Sequence, residues 1–302
     1  MNIIEINDLH KSFGEVKAVD RISFTVKEGE LFAFLGQNGA GKSTTISIIC
    51  GRLLKDGGKA YVNGNDIDGD ITEIKRDIGV VFQSSVLDKQ LSVYENLKSR
   101  AALYGIFGGE LEARIDELDK LLNFKPLLKR TVGKLSGGQR RKIDIARALI
   151  HKPKILILDE PTTGLDPQTR SSVWKVVQTL QKEEKMTVFL TTHYMEEAAD
   201  ADNVIIIDRG SIVAEGTPHE LKNRYTGDFI TLYGVSEENV KTLNCPYRAE
   251  KGAFIVTVKN TAFATELIIK HKEIFKDYEI TKGDMDDVFL SVTGKELGGD
   301  EK

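Results

Sequence analysis

The residues from Gly36 to Thr44, GQNGAGKST, have the types and the spacing to hold a chain of phosphates. They satisfy the pattern G-x-x-x-x-G-K-[ST], and they lie between the apolar run Leu31–Leu35 and a segment with helical periodicity. Glycines let backbone amides turn toward phosphate oxygens, the Lys42 ammonium adds positive charge at the β and γ phosphates, and the Ser43 hydroxyl can bind Mg²⁺. We therefore expect nucleotide contacts from Gly36, Asn38, Gly39, Ala40, Gly41, Lys42, Ser43 and Thr44.

Two carboxylates, Asp159 and Glu160, follow the apolar run ILIL. Carboxylates at the end of a buried strand are costly unless a cation or a proton compensates their charge. A metal ion and a water molecule are the expected compensation. Asp159 would hold Mg²⁺ directly or through water, and Glu160 would accept the proton of the attacking water as a general base. The structural alternative is a pair of carboxylates that cap a neighbouring element.

Three further side chains are weaker candidates when each is considered alone. His193 ends the apolar run VFLTT, and an isolated histidine there is more often buried and satisfied than functional. Its position one strand after the two carboxylates strengthens the functional interpretation. Gln83 follows IGVVF and could bring an amide near the metal, whereas Phe13, in HKSFG, could stack on adenine or only pack.

A second anion-binding pattern, LSGGQRRKIDIARAL, begins at Leu135. A Ser-Gly-Gly turn at the start of a basic amphipathic helix offers unpaired amides and a hydroxyl to an anion. The structural alternative is an N-capped helix with a solvated basic face and with Ile143, Ala146 and Ile150 in the core. The basic run Arg140–Lys142 is weak support for RNA binding, because the chain lacks overall basicity and an aromatic stacking pattern.

The elements that must position these residues alternate between strand and helix. Ile22, Phe24 and Val26 alternate with polar residues, which predicts a strand with one solvated face in an N-terminal antiparallel sheet. Leu31–Leu35 has the continuous apolar character of a central parallel strand. Residues from about 84 to 147 have helical patterns without strands, so we predict a helical insertion there. After it, KILILDE and MTVFLTTH restore the α/β alternation.

The remaining segments predict helix starts and a small appended domain. Asp166 precedes Pro167 as an N-cap, and Thr217 begins a capping box with Glu220. We predict one large domain over residues 1–225 and a small α/β domain over 226–302 that ends in a polar tail. For the acidic run at Asp284, Asp286 and Asp287 we favour helix capping over metal binding, because no calcium-loop spacing surrounds it.

Composition limits the class of protein. The 302 residues are 40% hydrophobic, enough for a sizeable core, and 42 basic against 46 acidic side chains leave a formal charge of −4. That balance gives no indication of a nucleic acid partner. The longest apolar runs are far shorter than the roughly 20 residues of a membrane-spanning helix. Two cysteines, Cys50 and Cys245, and a start without a signal-peptide core fit a reducing cytosol.

Together, these motifs resemble those of the ATP-binding-cassette (ABC) ATPases. The resemblance covers roughly Ile3 to Tyr225 and is carried by Gly36–Thr44, Gln83, LSGGQ at 135–139, ILILDEP at 155–161, GLD at 164–166 and His193. It implies an α/β fold, a P-loop NTPase cassette with a RecA-like, mostly parallel sheet, an N-terminal antiparallel β-subdomain and a helical subdomain. The C-terminal DVFL…TG pattern is similar to that of drug-resistance type (ABC-2) exporter subunits.

The resemblance also implies the roles of individual residues. In such proteins two cassettes pack head to tail, and each ATP lies between the P-loop of one and the LSGGQ segment of the other. Ser136, Gly137, Gly138 and Gln139 would thus contact the partner's nucleotide, and Asp166 would align the opposing subunit. Phe13 would stack on adenine, Gln83 would sense the γ-phosphate and the metal, and His193 would contact the γ-phosphate.

These observations predict an ATPase that uses ATP and Mg²⁺, forms a homodimer and drives export through a separate transmembrane permease subunit. We expect a cytoplasmic protein that is peripheral on the inner face of the membrane. The alternative is a soluble ABC-type ATPase that acts on ribosomes or nucleic acid. A nucleotide sensor without turnover is disfavoured by the presence of Glu160 and His193. The transported molecule would contact the membrane subunit, so drug, lipid, peptide, polysaccharide and ion stay open.

Overall fold

A computed structural model describes residues 1–69 and 71–294 of the chain. The chain divides into two compact units, Met1–Ile212 and Val213–Lys302. The predicted domain boundary after Tyr225 lies thirteen residues beyond this division and stays a prediction. The predicted polar tail, beyond Gly294, lies outside the described residues.

The first unit contains a six-stranded sheet, an antiparallel sheet and a group of helices. The strands are Asn2–Phe13 (β1), Val16–Lys27 (β2), Leu31–Leu35 (β3), Gly57–Val62 (β4), Asn65–Asp66 (β5), Ile78–Val81 (β6), Ile155–Asp159 (β7), Thr187–Thr192 (β8), Asn203–Asp208 (β9) and Ser211–Gly216 (β10), which crosses the unit boundary. The helices are Lys42–Ile49 (α1), Ile71–Asp77 (α2), Val93–Ala102 (α3), Gly108–Leu122 (α4), Gly137–Leu149 (α5), Pro167–Lys182 (α6) and Met195–Ala199 (α7).

The six-stranded sheet has the order β10-β9-β3-β8-β7-β6, and its pairs from β9 to β6 are parallel. All residues of β3, β7 and β8 are buried, which confirms the apolar runs as central strands. Because parallel strands point the same way, the loops after β3, β6, β7 and β8 leave one edge of the sheet. These are the loops that carry the P-loop, Gln83, the two carboxylates and His193.

The N-terminal sheet, of order β2-β1-β4-β5, is antiparallel as predicted. Its strand β2 buries Ile22, Phe24 and Val26 and exposes the residues between them. Phe13 is the last residue of β1 rather than a loop residue. The helix after the P-loop, α1, ends at Ile49, and Leu53 packs on the core from the following loop.

The predicted helical insertion consists of α3, α4, two short 3₁₀ turns and α5, with no strand among its described residues. Helix α5 begins after Ser136, whose hydroxyl accepts the Gln139 amide in a capping box. Ile143, Ala146 and Ile150 are fully buried, as predicted. The LSGGQ segment is thus a capped helix start, and its conformation is set within the chain.

The described residues of the second unit form a four-stranded antiparallel sheet and four helices. Its strands are Asp228–Tyr233 (β11), Tyr247–Glu250 (β12), Ala253–Val258 (β13) and Tyr278–Lys282 (β14), in the order β12-β13-β11-β14. Its helices are Pro218–Tyr225 (α8), Glu237–Lys241 (α9), Thr261–Lys270 (α10) and Met285–Thr293 (α11). The predicted caps Thr217 and Asp284 both form capping boxes. The predicted α/β fold class is confirmed, and no helix among the described residues is long and apolar enough to cross a membrane.

Candidate functional site

The P-loop connects β3 to α1 at the edge of the central sheet and forms one wall of a cavity of about 270 Å³. Gly39 and Gly41 have φ angles of 81° and 112°, which L side chains rarely adopt. A Cβ on Gly41 would also clash with the carbonyl oxygen of Ala18, whereas Gly39 faces open space. The glycines are therefore required by the backbone path of the loop, independently of any bound molecule.

Lys42 is folded back into this cavity with 4% of its surface exposed. Its Nζ donates to the carbonyl oxygens of Gly36 at 2.6 Å and Gln37 at 3.0 Å, and lies 3.3 Å from Glu160 Oε1. Burial lowers the pKa of the Lys42 ammonium, while Glu160 and, more weakly, Asp159 oppose this shift. The ammonium is thus held at the loop by backbone carbonyls and by one carboxylate.

Asp159, at the end of β7, lies beside the start of α1. Its Oδ1 accepts the Thr191 hydroxyl at 2.7 Å and is 3.5 Å from Ser43 Oγ. Asp159 and Glu160 are both buried; Lys42 pairs with Glu160, whereas the described partners of the Asp159 carboxylate are hydroxyl groups. A buried carboxylate held by hydroxyls is a position where a metal ion would compensate the charge.

The Glu160 side chain lies close to three other predicted site residues, Lys42, Gln83 and His193. Glu160 has a φ of 46°, and its amide donates to the carbonyl oxygen of Thr191 at the end of β8. Glu160 Oε2 accepts Gln83 Nε2 at 3.0 Å and lies 3.4 Å from His193 Nδ1. That histidine nitrogen is buried and makes no hydrogen bond to any residue that the structure describes. Gln83, Lys42 and His193 thus surround a single carboxylate.

Other predicted residues are separate from this cluster. None of Phe13, the LSGGQ residues Ser136–Gln139 and Asp166 lines the P-loop cavity. Phe13 is 52% exposed, with Lys11 Nζ 5.5 Å from its ring centroid. Asp166 caps α6 through the Thr169 amide at 2.9 Å, as predicted from its place before Pro167. Gly138 packs so closely on α6 that a Cβ there would clash with the methyl of Thr169.

Arg141 is a residue of the site that sequence reasoning misread as part of a solvated basic face. It is only 6% exposed, and burial lowers the pKa of its guanidinium. It donates to the carbonyl oxygens of Phe82 at 2.6 Å, Glu160 at 2.9 Å and Pro161. One side chain of α5 thereby fixes the segments that carry Gln83 and Glu160.

Glu197, in α7, is a second residue that the sequence did not reveal. Its carboxylate accepts the hydroxyls of Thr162 and, at 2.6 Å, Thr192. Burial raises the pKa of this carboxyl, although both hydroxyls favour the ionised form. Because Thr162 follows Glu160 by two residues and Thr192 precedes His193, Glu197 ties together the two loops that carry those candidates.

Comparison with known proteins agrees with this geometry. The sequence model of the ABC transporter family matches residues 19–163. The Nod factor export ATP-binding protein I of Ralstonia nicotianae is 34% identical over 311 residues, covering 98% of this chain and 95% of the relative. The linearmycin resistance ATP-binding protein LnrL of Bacillus subtilis is 37% identical over 276 residues, covering 90% and 84%.

A solved structure gives the same assignment. A dimeric, post-hydrolysis structure of the ATP-binding cassette MJ0796 bound to ADP and Pi has a TM-score of 0.65 and 29% identity. It covers 71% of this chain and 98% of that cassette. The predicted resemblance is therefore confirmed at the level of sequence and of fold.

Proposed function

The chain belongs to the ABC transporter family as an ATP-binding ATPase subunit, and on that premise we propose that it hydrolyses Mg·ATP to drive export through a separate membrane subunit. The observation that carries the proposal is the cluster at one sheet edge, where Lys42, Gln83 and His193 lie within 3.4 Å of the Glu160 carboxylate. Both reported relatives have export or resistance in their names. A role on ribosomes or nucleic acid has no comparable support.

The residues beside the P-loop suit Mg²⁺. Ser43 Oγ and Asp159 Oδ1 are hard oxygen donors that lie 3.5 Å apart, and Gln83 contributes an amide nearby. Mg²⁺ is usually held by one or two protein groups together with substrate phosphates, so a single carboxylate is sufficient. The buried Asp159 carboxylate, whose described partners are hydroxyl groups, also favours a cation. When bound, the ion would neutralise charge on the phosphates.

Glu160 is the residue with the geometry of a general base. Its carboxylate is buried, and it is oriented by the Gln83 amide and by Thr163 Oγ1 at 3.0 and 3.2 Å. We assign to Glu160 the role of accepting the proton of the attacking water. We assign the γ-phosphate contact to His193 Nδ1, which is buried and has no hydrogen bond among the described residues, and Lys42 would exchange its carbonyl partners for phosphate oxygens.

We assign to the LSGGQ segment the contact with the nucleotide that a second copy of the chain binds. Ser136, Gly137, Gly138 and Gln139 form an accessible helix start that does not line the chain's own P-loop cavity. A helix start binds anions through its unpaired amides. A head-to-tail dimer would bring this start, and the Asp166 loop, to the nucleotide of the other copy. Phe13, half exposed, would stack on adenine.

A basic cavity near Gln83 is the surface to which we assign binding of the membrane subunit. This cavity, of about 380 Å³, is lined by four cations, Arg52, Lys75, Arg100 and Arg147, and its lining among the described residues includes no acid. Phe82, the neighbour of Gln83, forms part of its wall. Arg100 Nε is buried and has no hydrogen-bond partner within the described part of the chain.

The buried hydrogen-bond donors of this cavity need acceptors. A segment of the membrane subunit would supply them with an acidic side chain or with the free carbonyl groups at the end of a helix. The apolar side chains Val86, Leu103 and Phe107 of the helical insertion are 48%, 74% and 59% exposed. They would add apolar contact area to the same partner. Through it, the chain would lie at the inner face of the membrane.

The proposal is tested by Glu160→Gln, with Glu183→Gln as the exposed control. Loss of the base is expected to reduce ATP hydrolysis by about 10²- to 10⁴-fold while MgATP binding persists. Light scattering should then detect an ATP-dependent dimer of Glu160→Gln. Equal mass with and without ATP would contradict the head-to-tail arrangement.

The transport role is tested by purifying the tagged chain from detergent-solubilised membranes. We expect a polytopic partner in stoichiometric amount, and Arg147→Glu should reduce its recovery without reducing basal ATPase activity. Recovery only from the soluble fraction, together with ribosomes or nucleic acid, would contradict export.

A further inference from the structure

A polar cavity of about 360 Å³ lies in the second unit, at the end of the sheet where β11 begins. Asp228, the first residue of β11, pairs in register with Val258 of β13 and with Lys282 of β14. Lys259 follows β13 directly, and Lys222 belongs to α8. The topology therefore brings lysines from three separate segments of the chain to one end of one sheet.

These three lysines give the cavity wall more positive charge than the acid in its described lining balances. Among the described residues, no carboxylate forms an ion pair with Lys222, Lys259 or Lys282. Asp228 is the acid in the described lining, and its Oδ2 accepts the Thr261 hydroxyl instead. Three cations and one anion give the wall a formal excess of two positive charges.

The remaining wall is polar and shaped by the backbone. Helix α10, ten residues long, begins at the cavity, and Asn260 caps it by accepting the Phe263 amide at 2.9 Å. The partial positive charge of a helix start adds to the field of the lysines. Gly283 brings two segments together, because a Cβ there would clash with the Thr226 side chain.

We propose that this cavity binds a phosphate ester with a neighbouring hydroxyl group. The ammonium groups of Lys222, Lys259 and Lys282 would contact the phosphate as point charges. The Asp228 oxygen that does not accept the Thr261 hydroxyl would accept the hydroxyl of the ligand. The cavity volume is within the usual range for small-molecule sites. The same chemistry occurs in free glycerol phosphate and in the headgroup of phosphatidylglycerol, and the site shares no residue with the P-loop.

The test is calorimetric titration of the full chain with glycerol 3-phosphate, with one equivalent of MgADP present to occupy the P-loop. Lys222→Gln, Lys259→Gln and Lys282→Gln are each expected to weaken binding about threefold, and their combination roughly 30-fold. Lys272→Gln, an exposed lysine of the same unit outside the cavity, is the matched control and should bind as the wild type does. If the triple variant folds poorly, the weaker binding of the three single variants still tests the proposal.

A second arm distinguishes the two sources of the phosphate ester. Sedimentation with vesicles of phosphatidylglycerol, compared with phosphatidylcholine, measures binding to the lipid headgroup. Lysine-dependent binding of glycerol 3-phosphate supports a free ligand, and lysine-dependent sedimentation without it supports the headgroup. Failure to bind either probe, or binding that the triple variant leaves unchanged, overturns the proposal. Neither outcome depends on ATP hydrolysis, so the proposed function is tested separately.

Discussion

Replacement of Arg141 by alanine should damage catalysis more than nucleotide binding. The buried guanidinium donates to the carbonyl oxygens of Phe82, Glu160 and Pro161, and its loss leaves these acceptors without their common donor. A hydrogen bond to a charged group contributes about 1.5–3 kcal/mol, and relief of the buried charge offsets part of three such bonds. We therefore expect the free energy of unfolding to fall by about 3 kcal/mol.

The effect on turnover follows from the same three contacts. Without Arg141, the segments that carry Gln83 and Glu160 are no longer held to one another, and a displacement of about 1 Å at a reacting group can cost 10²-fold. We expect kcat for ATP hydrolysis to fall at least about tenfold. KM for MgATP should change less than about threefold, because Lys42 and the P-loop do not contact Arg141.

The assay is steady-state phosphate release well below the melting temperature, combined with urea unfolding of the same samples. Arg114→Ala is the matched control, because Arg114 is also buried and donates to the carbonyls of Leu149 and Ile150, away from the P-loop cavity. It should lose comparable stability and keep its kcat. Arg141→Lys should recover only part of kcat, because one ammonium group cannot donate to all three carbonyls in the geometry of the planar guanidinium group. An unchanged kcat in folded Arg141→Ala would refute the positioning role.

Three further predictions concern stability and nucleotide contact. Burial lowers the pKa of His151 to about 4, so between about pH 6.5 and 4 the unfolded chain binds more protons and stability falls with decreasing pH. In urea titrations across that range, His151→Phe, which can keep the stack on Tyr104, should lose up to about 3 kcal/mol of this pH dependence. Gly138→Ala should clash with Thr169 and lower stability by about 1–3 kcal/mol, and fluorescent-nucleotide titration should find ADP affinity unchanged. Phe13→Ala should raise the Kd for ATP a few-fold in that titration and leave the melting temperature unchanged, because Phe13 is half exposed; equal ATP affinity would contradict adenine stacking.

The fold of the first unit follows largely from local patterns. The continuous apolar runs at Leu31–Leu35 and Ile155–Leu158 predict buried parallel strands, and the structure buries both completely. The caps at Ser136 and Asp166 depend on hydrogen bonds to amides three residues away, so sequence spacing is sufficient to find them. The short elements β12 and α9 were not predicted, because four- and five-residue segments with few buried side chains leave little periodicity.

The candidate site separates into residues that the sequence reveals and residues that it does not. Lys42, Asp159 and Glu160 are found because a P-loop and a strand end fix their backbone positions, and their chemistry is then read from residue type. Glu197 has no such marker. Its burial results from the return of α7 over two loop threonines, Thr162 and Thr192, and this contact is not visible in the chain order.

Arg141 lies between these two cases, because the spacing of apolar residues indicates its burial but the charge of its neighbours suggests exposure. It stands in a run of three basic residues, which usually indicates a solvated helix face. Yet Ile145 and Ala148 follow it by four and seven residues, and both are buried, so helical geometry places Arg141 on an apolar face. A cation on such a face must find acceptors, and the nearest available ones are backbone carbonyls at the ends of β6 and β7. The apolar spacing therefore indicates burial where the charge of the run suggested exposure, and a buried arginine beside a strand edge is itself a candidate positioning residue.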